Sequence, residues 1–345
     1  MASEGCEILF QVEDIAFLGF AEVIRHLPFI RRMMKTLIAE CRKRKPQAVV
    51  LVDYPGFNLR FASRLRKAPE LRHIPVLYYI SPQVWAWQAS RVPKIARLMD
   101  RMAVIFDFEV PIYQKAGLKA DFVGHPLLEV AKPSVSAEAF RSDLRLTKEN
   151  QILALLPGSR LQEVRSLFPL FSRTYLSLKR DFPKLRALVG CSPALNTAVY
   201  QQLLRREGMD ERSVLLLSGK TYDLLAHCDV ALVASGTVTL EAAILGAPLV
   251  MAYRVSPLTY WMGRFLVKIP DIALVNVVVG KRIVPEFIQG AATPERLAAE
   301  LAMLLKDPER RAALVAELGE VRKKLGAPGA SARVANLLSE MIAGK

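Results

Sequence analysis

The chain is poor in cysteine and histidine and has no long apolar run, and each shortage removes a class of protein. Its 345 residues include four cysteines, Cys6, Cys41, Cys191 and Cys228, none of them in a CxxC pair. That scatter excludes a zinc ribbon or a disulfide framework and fits reduced, cytosolic thiols. The four histidines are isolated, so no histidine metal cluster is read either. No run of about 18 apolar residues occurs, hence no segment reads as a transmembrane helix. The first residues lack a basic stretch followed by a clean apolar core, so no secretory signal is read. With 52% hydrophobic residues, disorder is excluded, and the length suits two domains rather than one.

Acidic residues are the minority. Lys and Arg total 48 against 33 Asp and Glu, a formal net charge of +15. The excess calls for an anionic partner, either nucleic acid or an anionic membrane or phosphorylated lipid. No RRM, helix-turn-helix or finger pattern carries the basic residues, which weighs against nucleic acid. They flank apolar surfaces instead. Phe20, Val23, Ile24, Leu27 and Ile30 recur near helical spacing beside Arg25, Arg31, Arg32 and Lys35. Such a segment can lie in a membrane interface, and a core helix with a solvated basic face has the same periodicity. Pro28 is expected to start a second helix within it.

What is present is alternation. Strand-like runs at 48–52, 76–80, 102–106, 152–156, 186–190, 214–217, 230–234 and 248–253 are separated mostly by helical patterns. Strands alternating with helices predict an α/β protein with parallel, doubly wound sheets. The segment 131–139, AKPSVSAEA, is the expected interdomain linker. It divides a first domain, 1–135, from a second, 136–325, with a terminal helix in 326–345.

Two loops carry anion-binding chemistry. In LALLPGSRLQEV, 153–164, an apolar run ends in a Pro157-Gly158 turn and Ser159-Arg160 opens an amphipathic helix. Ser159 reads as the N-cap, with Gln162 completing a capping box. A glycine turn at a helix N-terminus offers backbone N–H groups to phosphate, and Arg160 adds a guanidinium fork. An ordinary βα turn with a surface arginine reads equally well. In VALVASGTVTLEAAILG, 230–246, a second strand ends in Ser235-Gly236-Thr237, and a helix follows to Gly246, placed as its stop. Glu241, one turn inside, can accept from ribose hydroxyls. Two such loops predict a nucleoside diphosphate between them.

Asp53 ends the run AVVLVD, at the sheet edge where open parallel sheets bind ligands. It reads as a general base or as a turn acid capping the helix from Phe57. Trp85 and Trp87 diverge by about 200° on a helix, so they cannot share a face. One core and one interface tryptophan is the plain reading; an aromatic and basic rim with Arg91 for a lipid is the functional one. Two motifs are rejected. LSGKTYD, 217–223, lacks the first glycine of a Walker A loop. Asp107-Phe108-Glu109 resembles an acidic metal motif without a second carboxylate cluster, so no metal is expected.

The strings GCEILFQVEDIAFLGFAEVI (5–24), VDYPGFN (52–58), YYISPQVWAWQASRV (78–92), FDFE (106–109), FVGHPL (122–127), LALLPGSR (153–160), LVASGTVTLE (232–241) and YRVSPLTYWMGRFLVK (253–268) carry a family resemblance over nearly the whole chain. The chain resembles lipid-A-disaccharide synthase, a glycosyltransferase with two Rossmann-like domains (the GT-B type) and an active site in the cleft between them. The resemblance implies Asp53 as catalytic base and Asn58, Trp85, Trp87, Arg91 and His125 on the acceptor side, His125 with a structural role at the domain junction. It implies Gly158, Ser159, Arg160, Ser235, Gly236, Thr237, Glu241 and Asn276 on the donor side, although Val275 stands where the family has proline. The implied substrates are a UDP-diacylglucosamine donor and a diacylglucosamine 1-phosphate acceptor, with no cofactor and no nucleic acid. The implied place is the cytoplasmic leaflet of the inner membrane, as a peripheral protein that can form a homodimer. The terminal helix is expected to pack back on the first domain. Met1 aligns with an internal methionine of the family, so the family's first strand, glycine loop and helix are expected to be missing and to leave an exposed sheet edge. A UDP-sugar 2-epimerase, a peptidoglycan-type hexosaminyltransferase and an inactive nucleotide-sugar-binding remnant are the alternatives.

Overall fold

A computed structural model describes residues 4–11, 27–209, 214–256, 260 and 269–344. Phe20, Val23 and Ile24 lie outside the described residues.

Two wholly parallel sheets form the frame. The first contains β1 (Val49–Val52), β2 (Val76–Tyr79), β3 (Arg101–Val104) and β4 (Ala120–Phe122) in simple sequential order. Val50 pairs with Leu77, Leu77 with Arg101 and Met102 with Ala120. The second contains β5 (Gln151–Leu156), β6 (Leu185–Cys191), β7 (Val214–Ser218), β8 (Val230–Ala234), β9 (Leu249–Tyr253) and β10 (Glu286–Ile288), in the order β10-β9-β8-β5-β6-β7. Strands such as VALVA are buried along their whole length because helices cover both faces, which is why they read as continuous apolar runs. The eight expected strands form, with ends shifted by a residue or so. β4 and β10 were not expected: at three residues each they are too short to show a period. Among the described residues β1 is an edge, and its Val50 and Val52 are 38% and 50% exposed.

Pro28 is the second residue of the helix Leu27–Arg44, where a missing N–H costs nothing. That helix buries Met33, Met34 and Ile38, while Leu27 and Ile30 stay half-buried.

The segment between the helices Leu127–Val130 and Ala137–Asp143 is irregular only over 131–136, since Ser136 caps the second helix through Ala139 N (3.3 Å). Asp223 ties this segment down, accepting from Ser134 N, Ser134 Oγ and Val135 N at 2.5, 2.7 and 3.2 Å. The helix Ala330–Ala343 lies against the first sheet. Its Val334 joins Leu77, Ala103 and Val123 in a small core, Arg333 Nε donates to Val123 O (2.8 Å) and Glu340 pairs with Arg101 (2.7 Å).

Candidate active site

In the second sheet the chain runs outward one way from β5 to β7 and the other way from β8 to β10. The order therefore reverses between the adjacent strands β5 and β8, and a crevice opens beyond their carboxyl ends, where doubly wound sheets bind ligands. The two anion-binding loops follow those two strands. Together they line a pocket of 520 Å³ with Gly158, Ser159, Arg160, Ser235, Gly236, Thr237 and Glu241 in its walls. Gly158 has φ +112° and its Cα faces Glu163 so closely that a Cβ would lie 2.6 Å from Oε2, so only glycine fits.

The cap of the first loop differs from the expectation. The helix is Leu161–Asp181, its N-cap is Arg160, and the carboxylate that reaches back belongs to Glu163 rather than Gln162. Glu163 Oε2 accepts from the N–H groups of Ser159 (3.2 Å) and Arg160 (3.3 Å), and Oε1 from Arg160 Nη1 (3.2 Å). These donors are thus not free, as the local pattern implied. A carboxylate holds them in the geometry an anion needs. The second loop leads into the helix Val238–Leu245, which Gly246 ends at φ +71°. Glu241 lies on its first turn beside Tyr222, whose hydroxyl is 3.5 Å from Oε1. Burial pushes the Glu241 carboxyl above the usual carboxylate range.

Sequence reasoning missed part of this pocket. Gly190 near the end of β6, Ser192 and Pro193 after it, and Gly219, Thr221 and Tyr222 after β7, also line it. The last three lie in the rejected Walker-like string. The available signal was positional: loops at the carboxyl ends of neighbouring strands in such a sheet face a common crevice.

Asn276 is not a lining residue. It is fully buried, its Nδ2 donates to Val284 O (3.0 Å) and Glu286 Oε1 (2.8 Å), and its Oδ1 accepts from Ile283 N (2.9 Å) and Val284 N (3.0 Å). With all four bonding positions used, it cannot touch a donor and instead locks β10 to the helix Leu274–Val279.

In the first sheet, Asp53 follows β1 with φ 45°, and Tyr54 follows with φ 44°. Two successive non-glycine residues in the left-handed region cost on the order of 1–3 kcal/mol each. The surroundings enforce them. Asp53 O accepts from Tyr78 Oη (2.5 Å) and Asn58 Nδ2 (2.7 Å), and Asn58 Nδ2 also reaches Val52 O (3.0 Å). The Asn58 Nδ2 group is therefore spent on the turn, which leaves Oδ1 as the atom that can accept from a sugar hydroxyl. The helix starts at Pro55, its N-cap is Tyr54, and no side chain caps it, so Asp53 does not serve as the capping acid. Its residue is exposed and its carboxylate has no hydrogen-bond or ion-pair partner among the described residues.

The two tryptophans separate on the helix Val84–Trp87. Trp85 turns inward, donating Nε1 to Glu109 Oε1 (3.1 Å) and packing edge-on to Phe108 (5.4 Å). Trp87 is 47% exposed, with Arg91 Cζ 5.9 Å from its ring centre. Glu109 is buried and also accepts from Ser81 Oγ (2.6 Å); burial pushes its carboxyl up to about 7. Asp107 Oδ1 accepts from Phe108 N (2.7 Å). Among the described residues no cluster of three His, Cys, Asp or Glu could hold a metal. His125 is buried, its backbone N–H donates to Leu325 O (2.9 Å), and its Nδ1 accepts from Leu127 N (3.2 Å). Burial lowers it to about 4, which leaves a neutral ring with one nitrogen used in the backbone turn.

A family model for lipid-A-disaccharide synthetase matches residues 1–336. The chain belongs to the lipid-A-disaccharide synthase family. The enzyme of that name from Geobacter metallireducens is 40% identical over 345 residues, covering 100% of this chain and 88% of the relative. The one from Anaeromyxobacter dehalogenans is 44% identical over 331 residues, covering 96% and 85%. Family membership makes the chain a glycosyltransferase of lipid A biosynthesis. Among solved structures, UDP-GlcNAc 2-epimerase from Neisseria meningitidis, bound to UDP-GlcNAc, superposes with a TM-score of 0.64 at 13% identity, covering 96% of this chain and 84% of that one. A putative UDP-N-acetylglucosamine 2-epimerase from Listeria monocytogenes gives 0.62 at 12% identity, covering 92% and 80%. At such identities the likeness concerns the fold, which is GT-B.

Proposed function

We infer that this chain transfers 2,3-diacylglucosamine from its UDP derivative to the 6-hydroxyl of 2,3-diacylglucosamine 1-phosphate. The products are a β-1,6-linked disaccharide and UDP. The observation that carries the donor half is the pair of loops after β5 and β8, which meet across the reversal of strand order and line one pocket with Arg160 and Glu241. The uridine diphosphate sits there, its phosphates on the loop N–H groups and Arg160, its ribose on Glu241. Glu163 then yields the loop donors to the diphosphate.

In the acceptor half, Asp53 takes the proton of the attacking hydroxyl. The new bond forms from that oxygen to the anomeric carbon as the bond to the UDP oxygen breaks with inversion. The electron pair leaves with UDP, whose charge Arg160 and the two helix N-termini stabilise. The donor brings its own leaving group, so the reading requires no cofactor and no metal. The lipid substrates place the work at the cytoplasmic face of the inner membrane, with the basic apolar segment at 20–30 as the peripheral contact.

Calorimetric titration with UDP tests the donor half. Arg160→Ala should weaken binding by about 1.5–3 kcal/mol, as for loss of a charge-assisted contact. Glu241→Gln should chiefly raise the donor KM. Unchanged UDP affinity in both variants would place the nucleotide elsewhere.

A further inference from the structure

The helix Pro55–Lys67 starts directly after the Asp53-Tyr54 turn and carries Arg60, Arg64 and Lys67. Their spacing of four and then three residues sets them on one face. Arg91 and Lys94, at and within the start of the helix Val92–Ala96, come to the same place. The five cations line one groove of 610 Å³, together with apolar Leu59, Ile95 and Leu98, and with Pro55 and Gly56 of the helix start.

Among the described residues no acidic side chain lines this groove. All five cations are exposed, and none forms an ion pair among the described residues. Acids are within reach of neighbouring positions: Arg66, on another face of the same helix, pairs with Asp100 at 2.6 Å, and Arg42 pairs with Glu70 at 2.7 Å. Like charges four residues apart on a helix repel, so Arg60 and Arg64 weaken the helix that carries them. A bound anion removes that repulsion. We propose that the groove binds the phosphomonoester of the acceptor glycolipid and so sets its sugar against Asp53.

This rests on the transfer reading above, and three features favour it. A phosphomonoester carries about −1.5 to −2 charges at neutral pH, which suits several converging cations. Two of the lining cations, Arg60 and Arg91, offer planar forks that match phosphate oxygens. Arg60 is five residues into a helix whose rise is about 1.5 Å per residue, so it stands within about a sugar's length of the helix start next to Asp53. The groove belongs to the first sheet's helices, whereas the UDP pocket belongs to the second sheet, so the two phosphate groups of the reaction would not compete.

Calorimetry with a short-chain 2,3-diacylglucosamine 1-phosphate, and with the same lipid lacking its phosphate, tests the assignment. The wild type should bind the phosphorylated lipid about tenfold more tightly. Arg60→Gln combined with Arg91→Gln should abolish that preference while UDP affinity and the melting temperature stay in place, and the paired Arg→Lys changes should restore part of it. Arg64→Gln with Lys94→Gln serves as a second variant if the first does not fold. A preference for the phosphorylated lipid that survives both double variants overturns the proposal. So does a drop in binding to phosphatidylglycerol vesicles, relative to phosphatidylcholine vesicles, with the lipid preference intact, because the cations then face bilayer phosphate. Binding is read without turnover, so a wild type that makes no disaccharide yet shows the preference refutes the transfer reading and not the groove.

Discussion

At the scale of single residues, the backbone around Asp53 holds the turn that the capping reading gave to its side chain. The carbonyls of Val52 and Asp53 take the Asn58 amide and the Tyr78 hydroxyl, and the left-handed turn leaves the Asp53 carboxylate exposed without a partner among the described residues. Burial and the nearby Asp53 charge raise the Tyr78 hydroxyl, so it remains a donor. Asp53→Asn preserves shape and should lower turnover by about 10²–10⁴-fold, the usual loss for a general base, with UDP binding unchanged. Steady-state kinetics after a melting curve checks this; near-normal turnover would remove Asp53 from the chemistry. Added EDTA should leave wild-type activity intact, and a loss restored by Mg²⁺ would reopen the metal reading of Asp107 and Glu109. Asn58→Ala should act through the turn, lowering kcat more than it raises the acceptor KM.

At the scale of elements, the strand ends around Glu109 and His125 make a pH-sensitive joint. Glu109 anchors Trp85 and Ser81 beneath the segment 81–87, and His125 bridges the end of β4 to Leu325. The Glu109 carboxyl is raised from 4.5 to about 7. The folded protein therefore holds its proton more tightly than the unfolded chain, and this contribution to stability is complete below pH 4.5 and is lost as the pH rises through about 7. His125 is lowered from 6.5 to about 4 and has the opposite sign: its contribution is present above pH 6.5 and is lost as the pH falls through 4. Between those limits the two largely offset one another. In urea unfolding, the stability advantage of wild type over Glu109→Gln should shrink by on the order of 3 kcal/mol between pH 5 and pH 8. A constant difference across that range would mean that Glu109 is ionised throughout. Elements are also where local reading succeeds and fails. The long runs ILALL and VALVA are strands because uninterrupted β-branched and leucine residues need burial on both faces. The cap at Leu161 shifted by one residue because Ser159, Arg160, Gln162 and Glu163 all offer capping chemistry. Only the fold of the loop selects Glu163.

At the scale of the whole molecule, the net charge of +15 and the apolar residues before Met33 bear on where the protein works. The helix Leu27–Arg44 gives its core face to Met33, Met34 and Ile38, so Leu27 and Ile30 are not its main anchors. Serine at Val23, Ile24, Leu27 and Ile30 should move the protein from the membrane to the soluble fraction on cell fractionation. High salt should release part of the wild type by screening its basic residues. Variants that unfold instead would return those side chains to the core. By itself the sequence determined the alternation of strands and helices, the turns at Pro157-Gly158 and Ser235-Gly236, the family and the kinds of chemistry available, because propensity, periodicity and motif order are carried by near neighbours along the chain. Only the tertiary structure decided that β5 lies beside β8, that Asn276 is sealed inside, that Glu163 occupies the loop donors and that Arg60 and Arg91 share a groove. Those relations join residues far apart in the chain. They follow from strand order and helix packing, which no local pattern encodes.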